Sequence, residues 1–235
     1  TIRENVFLYG PTGCGKSHIC SQVADSLNLP FYFVSCTGGM SEGVLGGKLL
    51  PVGKAGTFEY VISEFIKAYE FGGLFLLDEI DAADPNVLLL VNAALASNMV
   101  AVPNRPAKPY AKRHENFICI AAANTVGTGA DRLYSGRNKL DGATLDRFAI
   151  GKIRMDYDTR VETALCPDEN LRKRLWNYRA AINAHRLERW VSTRFFEKAY
   201  RVHTVLKRPY EWIDGRLMEG WREDEINKVK SYVVA

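Results

Sequence analysis

No apolar run in this chain approaches the roughly 18–20 residues that a membrane-spanning helix requires, so no membrane insertion is expected. The opening stretch TIRENVFLYG lacks a basic start that runs into a long apolar segment, so no secretory signal is expected there. Cysteine is sparse: Cys14, Cys20, Cys36, Cys119 and Cys166 are scattered, odd in number and form no C-x-x-C pair. That spacing speaks against a disulfide framework and against a zinc site, and it implies reduced thiols in a cytoplasmic protein. Internal repeats are lacking too, and strand-like patterns stop near residue 158.

What remains is the balance of an ordinary globular chain, with 47% hydrophobic and 25% charged residues in 235. That length accommodates one large domain with a smaller one. The charge is uneven. Residues 1–100 carry five Lys and Arg against ten Asp and Glu, and the rest carries 26 against 17. A basic C-terminal half suits nucleic acid or an acidic face of a neighbouring copy.

Five apolar runs read as strands: NVFLY at 5–9, FYFVS at 31–35, GLFLL at 73–77, FICIAAA at 117–123, and residues 149–155. Between the first two, Ile19, Val23, Ala24 and Leu27 recur at helical spacing. Seven glycines interrupt residues 38–56, which predicts a mobile insert outside the core. A helix is expected over 58–69, and another from Asp84-Pro85 to about Ala96. Pro103, Pro106 and Pro109 make residues 99–115 a hairpin or loop. Helical patterns return at 169–187, at 192–206 and after Glu223. The expected plan is an α/β domain over 1–157, with a five-stranded parallel sheet, followed by a helical domain over 158–235.

The chemistry begins with LYGPTGCGKS. Gly10-x-x-x-x-Gly15-Lys16-Ser17 sits between a strand and a helix, as a phosphate-binding loop requires. Gly10, Pro11, Thr12, Gly13, Cys14, Gly15, Lys16, Ser17 and His18 form the expected nucleotide-binding set. Backbone N–H groups there hold phosphate oxygens, Lys16 reaches the β- and γ-phosphates, and the Ser17 hydroxyl ligates Mg²⁺. GGLFLLDEID supplies a metal-directed Asp78 and, beside it, Glu79 to polarise the attacking water. Asn124 ends the FICIAAAN strand, where an amide can orient that water; an Asn at a strand–turn boundary is also common for purely local reasons.

Taken together, the phosphate loop, DEID, the strand-terminal Asn, the phrase YSGRNKLDGATLDRF and the helical tail resemble an AAA+ ATPase. The glycine-rich insert and the Pro-rich hairpin are similar to the MoxR/CbbQ/dynein-related branch, which includes CobS-like chelatase subunits and McrB-like motors. The resemblance implies a P-loop AAA+ core with a helical lid, ATP and Mg²⁺ as cofactors, and a ring, most often a hexamer. It places Asn124 at sensor 1 and makes Arg147 an arginine finger that acts in the next subunit's site; a plain reading makes Arg147 a helix C-terminal cation facing the helix dipole. Arg132 and Arg137 are neighbouring interface candidates. Arg194, in Ser192-Thr193-Arg194, matches sensor 2; a plain reading makes Ser192 an N-cap and Arg194 a surface charge. A segment that helps enclose adenine normally precedes the first strand in this family, so the chain is expected to be cut close to the ATPase core.

Three uses of hydrolysis follow from the resemblance. The first is remodelling of a protein partner, as MoxR-like ATPases do with von Willebrand A-domain proteins. The second is DNA translocation in a McrB-like system, with Arg105, Lys108, Lys112, Arg113 and His114 of the hairpin gripping phosphates. The third is a CobS-like metal-chelatase role. Tyr110 is the hairpin's single stacking aromatic, which favours the protein partner over nucleic acid.

Overall fold

The computed structural model describes residues 4–53 and 56–234. They form two compact units, one of Thr1–Gly10 with Gly15–Met155 and the other of Asp156–Ala235 with Pro11–Cys14.

The first unit is built on a five-stranded parallel sheet. Its strands are β1 (Val6–Tyr9), β2 (Phe31–Ser35), β5 (Gly73–Asp78), β8 (Phe117–Ala123) and β9 (Gly151–Arg154), in the order β2-β5-β8-β1-β9. All five expected strands are present. Side chains alternate between the two faces because strand periodicity is two. Phe7, Phe75, Leu77, Cys119 and Ala121 face one core with helices α3 (Glu64–Phe71) and α4 (Pro85–Ala96). Leu8, Leu74, Leu76, Ile120 and Ala122 face the other, with helix α1 (Lys16–Ser26). Register aligns the strand ends: Tyr9 lies opposite Ala123, and Leu77 opposite Ala121. The loops after β1, β5 and β8 therefore leave the sheet at one edge, the carboxyl ends where α/β sheets bind ligands.

Two expectations are corrected here. Residues 58–69 are not one helix: β4 (Phe58–Val61) pairs antiparallel with β3 (Lys48–Pro51), and α3 begins only at Glu64. Ser63 sets that boundary, since its hydroxyl accepts from Ile66 N at 3.1 Å and donates to the Leu45 carbonyl. The glycine-rich insert is not outside the core: it holds the short helix α2 (Gly43–Gly46), and Leu45 is fully buried beside Met40. Gly47 lies at φ +85°, and a Cβ there would meet the Tyr60 ring at 2.5 Å, so the glycine makes a tight junction. Residues 54–55 of this insert lie outside the described residues, as do 1–3 and 235 at the chain ends. The expected first helix is present as α1; it buries Cys20 and Ala24, while Ile19, Val23 and Leu27 are exposed.

The Pro-rich segment is a hairpin as expected, with β6 (Met99–Ala101) antiparallel to β7 (Tyr110–Lys112). A short helix α5 (Gly142–Asp146) precedes β9.

The second unit is helical. It contains α6 (Thr159–Leu165), α7 (Glu169–Ala184), α8 (Thr193–Leu206), α9 (Tyr210–Leu217) and α10 (Glu223–Val234) around Leu171, Leu175, Tyr178, Phe196 and Ile213. Asp158, Asp168 and Ser192 cap α6, α7 and α8 by accepting from a backbone N–H in the first turn. Helices α6 and α9 escaped the sequence reading because each spans only two turns, too short for a periodic pattern to stand out.

Candidate nucleotide site

The phosphate loop is set by the sheet and by its glycines. Gly10 N donates to the Ala123 carbonyl at 3.3 Å, and a Cβ on Gly10 would sit 2.0 Å from the Met155 carbonyl oxygen, so no larger residue fits. Gly15 is the N-cap of α1 in the left-handed region, at φ 97°, and brings no side-chain acceptor to the first turn. A helix N-terminus of this kind directs N–H donors and the positive end of the dipole toward an anion.

Lys16 is almost fully buried, and its Nζ donates to the Gly10 carbonyl at 2.8 Å and to Asn124 Oδ1 at 3.0 Å. The expected sensor-1 amide and the phosphate-loop lysine thus meet across 108 residues of sequence. Ser17 Oγ donates to Asp78 Oδ2 at 2.6 Å, which brings together the two groups expected around Mg²⁺. A hydroxyl and a carboxylate are hard oxygen donors, the set that Mg²⁺ prefers, so the residues present fit that ion. His18 is exposed on the first turn of α1.

Glu79 follows Asp78 in the left-handed region, at φ 54° and ψ 41°, where its N–H donates to Asp78 Oδ1 at 3.0 Å. That conformation costs a non-glycine residue about 1 kcal/mol, and such strain gathers at functional sites. Its side chain is about half exposed.

One residue of DEID was missed as a site residue. Asp81 is fully buried, and its Oδ2 accepts from Asn124 N at 3.2 Å, Thr125 N at 3.1 Å and Thr125 Oγ at 3.0 Å. It ties the strand end that carries Asn124 to the one that carries Glu79. A buried carboxylate demands such partners, but nothing local in the sequence distinguishes Asp81 from Asp84, which only caps α4.

The arginines separate. Arg147 is the C-cap of α5, one-third exposed, with Asp146 at 3.9 Å, and its carbonyl accepts from Asn5 Nδ2 at 3.1 Å. Arg132 is exposed. Arg137 places Nη2 3.5 Å from Glu79 Oε1 and Nη1 3.4 Å from Asp81 Oδ1 of its own chain. In the helical unit, which includes Pro11–Cys14, Tyr157 Oη donates to the Thr12 carbonyl at 3.0 Å. A Cβ on Gly13 would lie 2.8 Å from Ser192 Cβ and 3.6 Å from Arg194 Cβ, which sets the exposed Arg194 beside the loop. Ser192 is also the N-cap of α8, so the plain reading of that residue holds.

The hairpin's basic residues are mostly engaged within the fold. Glu70 accepts from Arg105 Nη1 at 2.6 Å and pairs with Lys108. Burial raises the Glu70 pKa, and the hydrogen bonds from Arg105 and Lys108 outweigh it, so the carboxyl sits below its ordinary value. Arg113 lies over the Phe117 ring at 5.3 Å, and His114 Nδ1 accepts from Asn116 N at 3.0 Å.

Two thiols border the site without serving it. Burial first, and the Asp78 charge second, push Cys20 and Cys36 up to about 12, so both stay protonated and unreactive.

Comparison with known proteins converges on residues 5–148, which match the family model described as the AAA domain, dynein-related subfamily. A protein of unassigned function from Staphylococcus epidermidis is 30% identical over 159 residues, and one from Staphylococcus saprophyticus is 29% identical. The match covers 66% of this chain and 57% of each relative, so the chain spans little more than half their length. Among solved structures, a RuvB point mutant from Thermotoga maritima superposes with a TM-score of 0.55 at 15% identity, covering 95% of this chain and 64% of that one. That likeness concerns the fold alone.

Proposed function

Because the chain belongs to the dynein-related subfamily of AAA ATPases, we propose that it hydrolyses ATP with Mg²⁺ and works as a ring that remodels a protein partner. The observation that carries the reading is the meeting of Lys16 with Asn124 beside the Ser17–Asp78 pair. These groups come from the first turn of α1 and the ends of β5 and β8, and match the needs of a polyphosphate and its cation. Lys16 holds the phosphates and Asn124 orients around them. Glu79 takes the proton of the attacking water as general base. Ser17 and Asp78 would hold Mg²⁺, which when bound supplies charge neutralisation on the phosphate oxygens.

The ring follows from Arg147. Its in-chain counter-charge is distant, at 3.9 Å. A finger contributed to a neighbour's site supplies positive charge where the transition state needs it. Arg194, beside Gly13, is a second source of charge at the loop. Between the uses of hydrolysis, the protein partner is favoured, since Glu70 engages both hairpin cations Arg105 and Lys108 and offsets one of their two charges.

The test is subunit mixing. Arg147→Ala alone is expected to lose nearly all turnover, as is Glu79→Gln alone. Mixtures are expected to recover activity, since a site pairing Glu79 of one copy with Arg147 of the other is intact. No recovery at any ratio removes action in trans. ATPase stimulation by DNA that declines steeply with salt would instead favour translocation.

A further inference from the structure

We infer that Arg137 is a positioning residue of the ATPase site, acting within its own chain by bridging the water-activating Glu79 to the buried Asp81. This rests on the hydrolytic reading above.

Four observations carry it. Arg137 is 14% exposed and stands within 3.5 Å of two carboxylates, Glu79 and Asp81. The two oxygens of Asp81 are unequal: Oδ2 accepts three hydrogen bonds, while the buried Oδ1 accepts none and faces the guanidinium. A fully buried carboxylate needs a counter-charge on its unsatisfied side, and Arg137 supplies it. The segment that bears Arg137 is also pinned to the end of β5. Asn138 N donates to the Asp81 carbonyl at 2.6 Å, and Asn138 Nδ2 donates to the Ala83 carbonyl at 2.9 Å. Lastly, Glu79 is held at its backbone by a left-handed conformation, so its side chain leaves the strand end in one direction, toward Arg137.

The guanidinium suits the task because it is planar and can face two carboxylates at once. One carboxylate is fixed by three donors and the other is half exposed. Arg137 therefore transfers the rigidity of Asp81 to Glu79. The same Asp81 grips the backbone of Asn124 and Thr125, so the general base and the sensor amide share one anchor. A role for Arg137 in a neighbour's site would require it to leave Asp81 Oδ1 buried and uncompensated.

The test measures kcat and KM for MgATP in wild type, Arg137→Ala and Arg137→Lys, with thermal midpoint and binding of a fluorescent ATP analogue alongside. Arg137→Ala is expected to lower kcat about tenfold with KM within twofold, and Arg137→Lys to recover part of the loss. In a Glu79→Gln background, Arg137→Ala is expected to change the residual rate little, since its target is gone. Mixing Arg137→Ala with Glu79→Gln subunits is expected to give no recovery, because both defects fall in the same copy's site; recovery would assign Arg137 to the neighbour and overturn the inference. Unchanged kcat in Arg137→Ala also overturns it. If the alanine variant does not fold, the lysine variant decides by the same kcat and mixing criteria. Absence of turnover in wild type defeats the hydrolytic reading itself, whereas wild-type turnover matched by Arg137→Ala defeats only this inference.

Discussion

In the α/β unit, Arg137 stands 3.5 Å from Glu79 and 3.4 Å from Asp81. In the helical unit, Arg179 delivers Nη1 and Nη2 to Glu162 at 3.0 and 2.5 Å. Glu162 is fully buried and accepts further from Trp176 Nε1 at 2.7 Å and Thr193 Oγ at 2.9 Å. Arg179 also donates to the Val191 carbonyl and lies 4.0 Å from the centre of the Tyr157 ring. One cluster is closed on every side; the other leaves a half-exposed carboxylate in a strained backbone. Saturated buried networks fix a fold, whereas a loosely held acid retains the freedom to meet water and substrate. The contrast separates a carboxylate that builds from the one proposed to activate water.

Reciprocal substitutions break this contrast if it is wrong. Glu79→Gln is expected to lower turnover at least a hundredfold, the scale of a lost general base, while analogue binding and the unfolding midpoint stay near wild type. Unchanged turnover would remove Glu79 as the water-activating group. Glu162→Ala is expected to do the opposite in kind, costing about 3–5 kcal/mol in urea unfolding because Arg179 is left buried without its partner. A cost below about 1 kcal/mol would show that the helical cluster is as loose as the other.

Glu70 gives the smallest and sharpest comparison, a third carboxylate whose partners are basic residues of the hairpin. Its folded pKa is lowered, so its contribution to stability is complete above the ordinary Glu value and is lost as pH falls through the lowered one. Glu70→Gln is expected to cost about 1–2 kcal/mol at pH 7 and to flatten the acid side of the stability profile. An acid limb identical to wild type would mean the pairs contribute nothing.

The elements legible in the sequence were those written in local pattern. Five strands, the phosphate loop and the capped starts of α4 and α8 each depend on residues within a few positions of one another. Asn124 stood out only in company with the phosphate loop and DEID, since an Asn at a strand–turn boundary is common for local reasons. What escaped depends on distance or on small size. Asp81 looks like any acid after Asp78 until Thr125 arrives from 44 residues away. Phe58–Val61 has enough apolar residues for a helix, and only its partner β3 makes it a strand. The spacing of Ile19, Val23 and Ala24 found α1, but which face it buries depends on the β8 face built with Ala122, which admits the small Cys20 and Ala24. Arg137 belonged to a motif, but its partners lie nearly sixty residues upstream in DEID.

The hydrogen bond from Asn5 to the Arg147 carbonyl, across 142 residues of sequence, has a mechanical meaning. Asn5 precedes β1 and Gly10 follows it, and β1 is clamped between β8 and β9 on both edges. At about 3.3 Å per residue the strand is a stiff rod little more than 13 Å long. One end carries the candidate phosphate loop, and the other adjoins Asn5, which grips the backbone from which Arg147 projects. A rod clamped along both sides does not bend, so a shift at either end is a shift of the whole. In a ring, each copy's grip on its own nucleotide would then be geared to the reach of its arginine toward the next.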